Sequence, residues 1–306
     1  MKQRARSVGE TVLLILAMSL AAFLLMRAMP GDAAEAILLS RGIAPTPELV
    51  EAARREVGLD QPLAMQFLEW VWRLFHGDLG VSHRSGAPIM ATLLEKLPVS
   101  LAIGFGGLIL GATLAFALAL ATVAQTAGFE RGTRLLAVAV QAMPAFALGL
   151  GVIWLFGVEL KWIRPFTGGW LERIVLPMLL VATYTCGALV RVLRLEMIRA
   201  MEAPFARAAR AKGLSDGQLV WSHAAPFGLV ALSSTLRSEA AWVIGGTATA
   251  EVLFGAPGVS AWVVEAVGLR DYGVVQAYVL TVILWMLIVH AVLDAASRRL
   301  DPRRAV

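Results

Sequence analysis

Charge is what this chain has least of. Of its 306 residues only 16% are Asp, Glu, Lys or Arg, whereas 58% are hydrophobic. Soluble domains carry roughly 25% charged residues, and a soluble fold cannot bury so large an apolar surplus. An integral membrane protein is expected. Cysteine is almost absent: the single Cys186 excludes an internal disulfide framework and a multi-cysteine metal site. The four histidines (His76, His83, His223 and His290) are scattered and have no metal-ligand spacing. No G-x-x-x-x-G-K-S/T loop is present to cradle nucleotide phosphates, and no G-x-S-x-G element marks a nucleophile. The net charge of +5 is modest, and its distribution does not read as nucleic-acid binding. Internal repeats and low-complexity tracts are also missing.

Long apolar runs fill the space that charge leaves. A membrane span needs about 20 mostly apolar residues, and six stretches qualify: 9–29, 98–124, 134–158, 172–193, 229–252 and 274–296. The first follows Lys2, Arg4 and Arg6 as a signal peptide would, but its apolar run is longer than a usual h-region. It ends in "RAMPGD" without a cleavage site, so a retained first helix is predicted. Basic residues set the orientation. With the N-terminus inside, the cytoplasmic pieces hold Arg131, Arg134, Arg199, Arg207, Arg210, Lys212 and the C-terminal arginines. The outer pieces are richer in acids, among them Glu48, Glu51, Glu56, Asp60, Glu69 and Asp78. Both termini and the segment 194–228 are then cytoplasmic, and 30–97 lies outside.

The outer segment is too polar to span and too patterned to be disordered. "TPELVEAARREVG" predicts a capped helix with Thr46 at the N-cap, Pro47 in the first turn and Gly58 past the end. "MQFLEWVWRLF" repeats apolar residues at helical spacing, with Trp70, Trp72 and Phe75 suited to a membrane boundary or to packing of a small external layer.

The stretch "RAARAKGLSDGQLVWSHAAP" (207–226) is basic and rich in small residues, unlike the apolar runs on either side. From Pro204 it predicts a short helix that Gly213 ends in a left-handed turn. A helix so short needs something to pack against. On composition it is either a docking element for a partner or a positive loop that anchors topology. Spacing adds a resemblance. Ala208-Ala209, three residues, Gly213, nine residues, then His223-Ala-Ala-Pro226 resembles the cytoplasmic EAA motif of ABC importer permeases. Arg207 and His223 replace that motif's Glu and Ile, as in the branch that transports dipeptides, oligopeptides and nickel. Ala203 and Phe205 depart from that branch's acidic residue and Tyr, so a polar contact to a partner is expected to be missing. "MPGD" (29–32), "GLDQPL" (58–63), "GDLGVS" (77–82), "AEVLFGAPGVSAWVVEAVGLRDYGVVQA" (250–277) and "LDPRR" (300–304) extend the likeness nearly end to end.

The resemblance implies an all-α type I ABC importer permease fold with six transmembrane helices. Residues 1–29 would be the first span and 30–97 a periplasmic helical insert, leaving 98–306 as the core with its coupling loop at 194–228. Residues Phe205, Arg207, Ala208, Ala209, Arg210, Lys212, Gly213, His223 and Pro226 would form the element that docks on a cytoplasmic ATPase. The implied partners are a second homologous permease, two ATPase subunits, an external solute-binding protein and membrane lipid. ATP and Mg would act on the ATPases, with no cofactor bound by this chain. The implied cargo is a peptide or a related small solute such as a nickel or metallophore complex. The chain would be a transport subunit of the bacterial inner membrane and not an enzyme.

The fifth apolar stretch is the most polar. Charged residues at membrane depth usually face a bundle interior or a wet cavity. Arg237 and Glu239 are two apart and so do not share a helical face. These two, with Thr247 and Glu251, either line a translocation path or glue helices together; Glu251 reads as a gate residue or an external cap. His290 and Asp294, four apart on the last span, form a local ion pair or a proton relay. An ion-coupled transporter or channel built on these charges is the alternative function, and it predicts the repeats and broken helices of such transporters.

Overall fold

The computed structural model describes residues 2–28, 31–124, 127–164, 166 and 168–300, and the side chains of 2–8, 127–130 and 294–300 lie outside the description. The helices in order are α1 (Lys2–Ala28), α2 (Ala33–Ser40), α3 (Pro47–Glu56), α4 (Leu63–Phe75), α5 (Ile89–Ala124), α6 (Ala127–Ala142) and α7 (Ala145–Val152). They continue with α8 (Leu176–Glu202), α9 (Pro204–Ala211), α10 (Asp216–Leu219), α11 (Ala225–Gly246), α12 (Ala248–Phe254), α13 (Val259–Gly268) and α14 (Tyr272–Leu300). Wider π-helical turns at Ile153–Glu159, Leu171–Val175 and Val220–Ala224 extend α7 and lead into α8 and α11. Among the described residues no strand forms, and Val81 and Pro88 make an isolated antiparallel bridge.

Among the described residues five helices are long and apolar enough to cross a membrane: Gly9–Ala28, Ile89–Ala124, Leu171–Glu202, Asp216–Gly246 and Tyr272–Leu293. The stretch 134–158, expected to be a span, is a pair of helices bent by 103° at Met143-Pro144. Proline disfavours helical geometry in the residue before it, and Pro144 itself is extended at φ −59°, ψ 140°. The fifth span also differs from expectation, because its helix starts at Asp216 and passes straight through Pro226. Ser215 and Gln218 start it with a reciprocal capping box. Its proline is absorbed by a wide turn. Pro226 offers no N–H to Ser222 and its ring would crowd that carbonyl. The turn Val220–Ala224 opens there, with the Ala225 N–H bonding back five residues to Val220. Pro177 follows the turn Leu171–Val175 in the same way.

The chain divides into two compact units, one of residues 1–98 and 258–287, the other of 99–257 and 288–306. The residues 258–287 therefore group with the N-terminal part, where the motif order had placed them in the core. In the first unit Met26, Leu79, Ile89, Val259, Val263 and Val274 share a buried cluster. The capped helix forms as expected: Thr46 Oγ1 accepts the Leu49 N–H at 3.4 Å, and Gly58 sits at φ +69°. Of the three aromatics Trp70, Trp72 and Phe75, Trp70 is half-buried and stacked on the half-buried Phe67 at 5.9 Å, whereas Trp72 and Phe75 are 67% and 75% exposed. This chain thus leaves most of that aromatic face uncovered.

In the second unit α8 packs against α6 and α11, and Ala115, Leu189, Leu193, Met197 and Val220 form the core. Close approach of α5 to α8 depends on Gly111, where a Cβ would lie 2.6 Å from the Ala182 carbonyl oxygen. The proposed pairing of His290 with Asp294 lies outside the described residues, as do most of the C-terminal "LDPRR" and Met29-Pro30 of "MPGD".

Candidate functional site

The helix α9 begins with Pro204 in its first turn and has no side-chain cap at Ala203. Its end is better defined. Gly213 takes φ +90°, its N–H bonds to the Arg210 carbonyl at 2.9 Å, and the Leu214 N–H reaches Ala209 at 3.2 Å. This is a Schellman stop, for which glycine avoids the left-handed penalty. Leu214 then packs with Ala206, Ala209, Leu219 and Met201 in a small core. Arg210 fastens the helix at both sides, donating to Asp216 at 3.0 Å and to the Met201 carbonyl at 3.1 Å.

Ala208 and Ala209 were expected to present one close-packing surface to a partner. They do not. Ala209 is 7% exposed and, with the fully buried Ala206, faces the chain's own core; Ala208 points outward. The reason is helical geometry, since neighbouring residues diverge by 100° while residues three apart share a face. The outward side carries Phe205, Arg207, Ala208 and Lys212. Phe205 stacks on His223 at 5.9 Å and on Phe227 at 5.6 Å. These two belong to the continuous fifth-span helix, so the stack ties α9 directly to a membrane helix. Sequence reading found Phe205 and His223 but missed Phe227, Ala206 and Leu219. The spacing of 223 and 227, four apart on a helix, was the available signal. Pro226 is exposed and lies inside the span helix.

The same unit holds a cavity of about 460 Å³ among α5, α6, α8, α11 and α12. Of the four residues expected on a path, Glu239 and Thr247 line it, joined by Ser238 and Thr249. Arg237 is exposed and does not line the cavity; Glu251 is absent from the lining too. Glu251 is 0% exposed, which corrects its reading as an external cap. It sits in the first turn of α12, where the helix dipole favours a carboxylate, and accepts a hydrogen bond from Thr247 Oγ1 at 2.6 Å. Ser233 and Ser234 turn their hydroxyls back to the carbonyls of Val230 and Ala231.

Two lining residues that the sequence did not single out stabilise the helix break. Tyr184 Oη donates to the Met143 carbonyl at 2.5 Å, and Gln141 Nε2 donates to the Tyr184 carbonyl at 2.9 Å. Both bonds satisfy polar groups near the bend at Pro144 and fix α6 against α8 beside the cavity. Among the described residues no three His, Cys, Asp or Glu side chains group to hold a metal ion.

A short helix with a glycine stop, joined to a bundle of apolar helices, stands where the EAA resemblance was read. Residues 107–306 match the family model described as binding-protein-dependent transport system inner membrane component, and 3–104 match the N-terminal model of the same kind of transport component. The chain belongs to this permease family. A Brucella abortus protein described as a peptide transport system permease is 32% identical over 309 residues, covering 97% of each chain. The di/tripeptide transport system permease of Pseudomonas aeruginosa is 27% identical over 328 residues, covering 98% of this chain and 97% of its own. The fold is similar to that in the crystal structure of an amino acid ABC transporter with histidines. That likeness has TM-score 0.56 and 14% identity, over 69% of this chain and 94% of the other. The chain is thus an all-α, multi-pass inner-membrane permease of a binding-protein-dependent transport system.

Proposed function

We propose that this chain is one permease subunit of an ATP-driven peptide importer, with α9 as the element that receives the ATPase. The carrying observation is the division of α9 into two sides. One side is buried in the chain's own core, and the other offers Phe205, Arg207, Ala208 and Lys212 outward. A rigid helix stacked through Phe205 on His223 and Phe227 transmits displacement to the fifth span. ATPase closure would move α9, and the span would tilt with it. ATP and Mg act at the two partner ATPases, and a second, homologous permease completes the path. An external binding protein delivers the solute. In this reading the termini and 194–228 are cytoplasmic and 30–97 is external, as the Lys and Arg distribution supports. Glu239 and Thr247 contribute to the path through the cavity they line.

The test is co-expression with ATPases and a second permease from the same gene neighbourhood, followed by co-purification and dipeptide uptake in inverted and right-side-out vesicles. Uptake that needs ATP on the ATPase side, and that is lost with Ala208→Trp, supports the assignment. Uptake driven by an ion gradient without ATP would overturn it. For topology, a cysteine at position 54 in a Cys186→Ala background should react with a membrane-impermeant reagent added from outside.

A further inference from the structure

The first unit contains a cavity of about 550 Å³ that the importer reading does not use. Its walls come from α1, α3, α4, the turn at 78–86 and the start of α14. Four arginines and three acids line it: Arg27, Arg41, Arg55 and Arg73 against Glu56, Glu69 and Asp78. Two pairs cancel locally, Arg41 with Glu56 at 3.2 Å and Arg73 with Glu69 at 2.6 Å. Arg27 differs. Its Nε and Nη2 donate to Gln66 Oε1 at 3.0 and 2.7 Å, and Nη1 donates to the Phe23 carbonyl at 3.5 Å, all uncharged acceptors. Its guanidinium lies 3.5 Å over the Phe23 ring and 4.9 Å from the Tyr272 ring centre. A half-buried cation whose hydrogen-bond partners among the described residues are all neutral favours an anion in reach.

A second observation points the same way. Gln276, four residues after Tyr272 and so on the same face of α14, also lines the cavity. It is 5% exposed, and among the described residues its Nε2 has no hydrogen-bond partner. Buried amide donors are nearly always satisfied, and an orphan in the wall of a cavity calls for an explanation. His83 adds no charge at neutral pH, because burial pushes its imidazole below the ordinary value, partly opposed by Asp271. Trp70, Leu59 and Leu79 supply apolar wall around these donors.

We propose that this cavity binds a compact oxyanion, the carboxylate of a dipeptide-sized solute, between the Arg27 guanidinium and the Gln276 amide. The importer reading enters only in the choice of solute.

The full-length chain in phosphatidylcholine nanodiscs is titrated calorimetrically with alanyl-alanine and with its C-terminal amide. The acid is expected to bind at least about tenfold more tightly than the amide, the scale of one charge-assisted hydrogen bond. Arg27→Gln and Gln276→Leu are each expected to weaken the acid by about tenfold. Gln276→Leu is the decisive variant. Replacing an unpartnered buried amide by an apolar side chain leaves thermal stability unchanged or raised, so lost binding there does not report misfolding. Equal binding of acid and amide, or full binding by Gln276→Leu, would overturn the proposal. Displacement of alanyl-alanine by a tenfold lower concentration of soluble glycerol 3-phosphate would assign the cavity to a lipid-type phosphate and overturn the solute. No ATPase takes part, so failure here leaves the importer reading standing; failure of that reading would show as absent uptake with binding intact.

Discussion

The helices α9 and α12 are eight and seven residues long, too short to persist alone, and they end in the same way. In each, a glycine in the left-handed conformation follows the last turn: Gly213 at φ +90° and Gly255 at φ +63°. The next N–H then reaches back five residues, Leu214 to Ala209 at 3.2 Å and Ala256 to Glu251 at 2.9 Å. What differs is where the polar residues go. The charged residues Arg207 and Lys212 are exposed, while the carboxylate of Glu251 is fully buried against Thr247. One terminator therefore serves two purposes. The outward side of α9 can change without disturbing its folding, whereas the side of α12 that carries Glu251 is buried.

Bulk on the two sides of α9 gives the largest contrast. Ala209→Trp forces a ring into a packed site and is expected to cost about 3 kcal/mol, lowering the melting temperature and ATPase binding together. Ala208→Trp should leave melting unchanged and abolish ATPase co-purification. Equal melting losses in both variants would break the two-sided reading of α9.

Next is the buried carboxylate. Glu251→Leu removes the buried carboxylate that accepts from the Thr247 hydroxyl at 2.6 Å, leaving that hydroxyl its bond to the Ile244 carbonyl at 3.1 Å, and should cost about 2 kcal/mol. Glu251→Gln keeps an acceptor oxygen and should cost clearly less. Thermal melting of the purified chain measures both. A leucine variant as stable as the parent would remove the contrast with α9.

The shared terminator predicts a smaller and matched effect. Gly213→Ala and Gly255→Ala should each cost about 1 kcal/mol through the left-handed backbone alone. A much larger loss at one of them would show that side-chain packing, and not backbone conformation, decides that stop. The smallest effect belongs to Arg207→Ala. Exposed charges contribute about 0–1 kcal/mol, so melting should not move and ATP hydrolysis should weaken only slightly, more so at low salt.

Local physics made much of this chain legible in advance. The places of most spans follow from apolar runs, the α3 cap from Thr46 and Pro47, and the end of α9 from Gly213; the last two depend on residues within one or two turns. Tertiary structure decided the rest. Pro144 breaks its helix and Pro226 does not. At the break, Tyr184, forty-one residues away, satisfies the freed Met143 carbonyl; at Pro226 the helix widens instead. Whether Ala208 or Ala209 faces inward was set by Leu214, Leu219 and Met201, and whether Glu251 is a cap or a core residue by the helices around it. Helix starts and stops are short-range events that a sequence displays. The face a helix buries, and the groups its charges meet, depend on chain segments that only folding brings near.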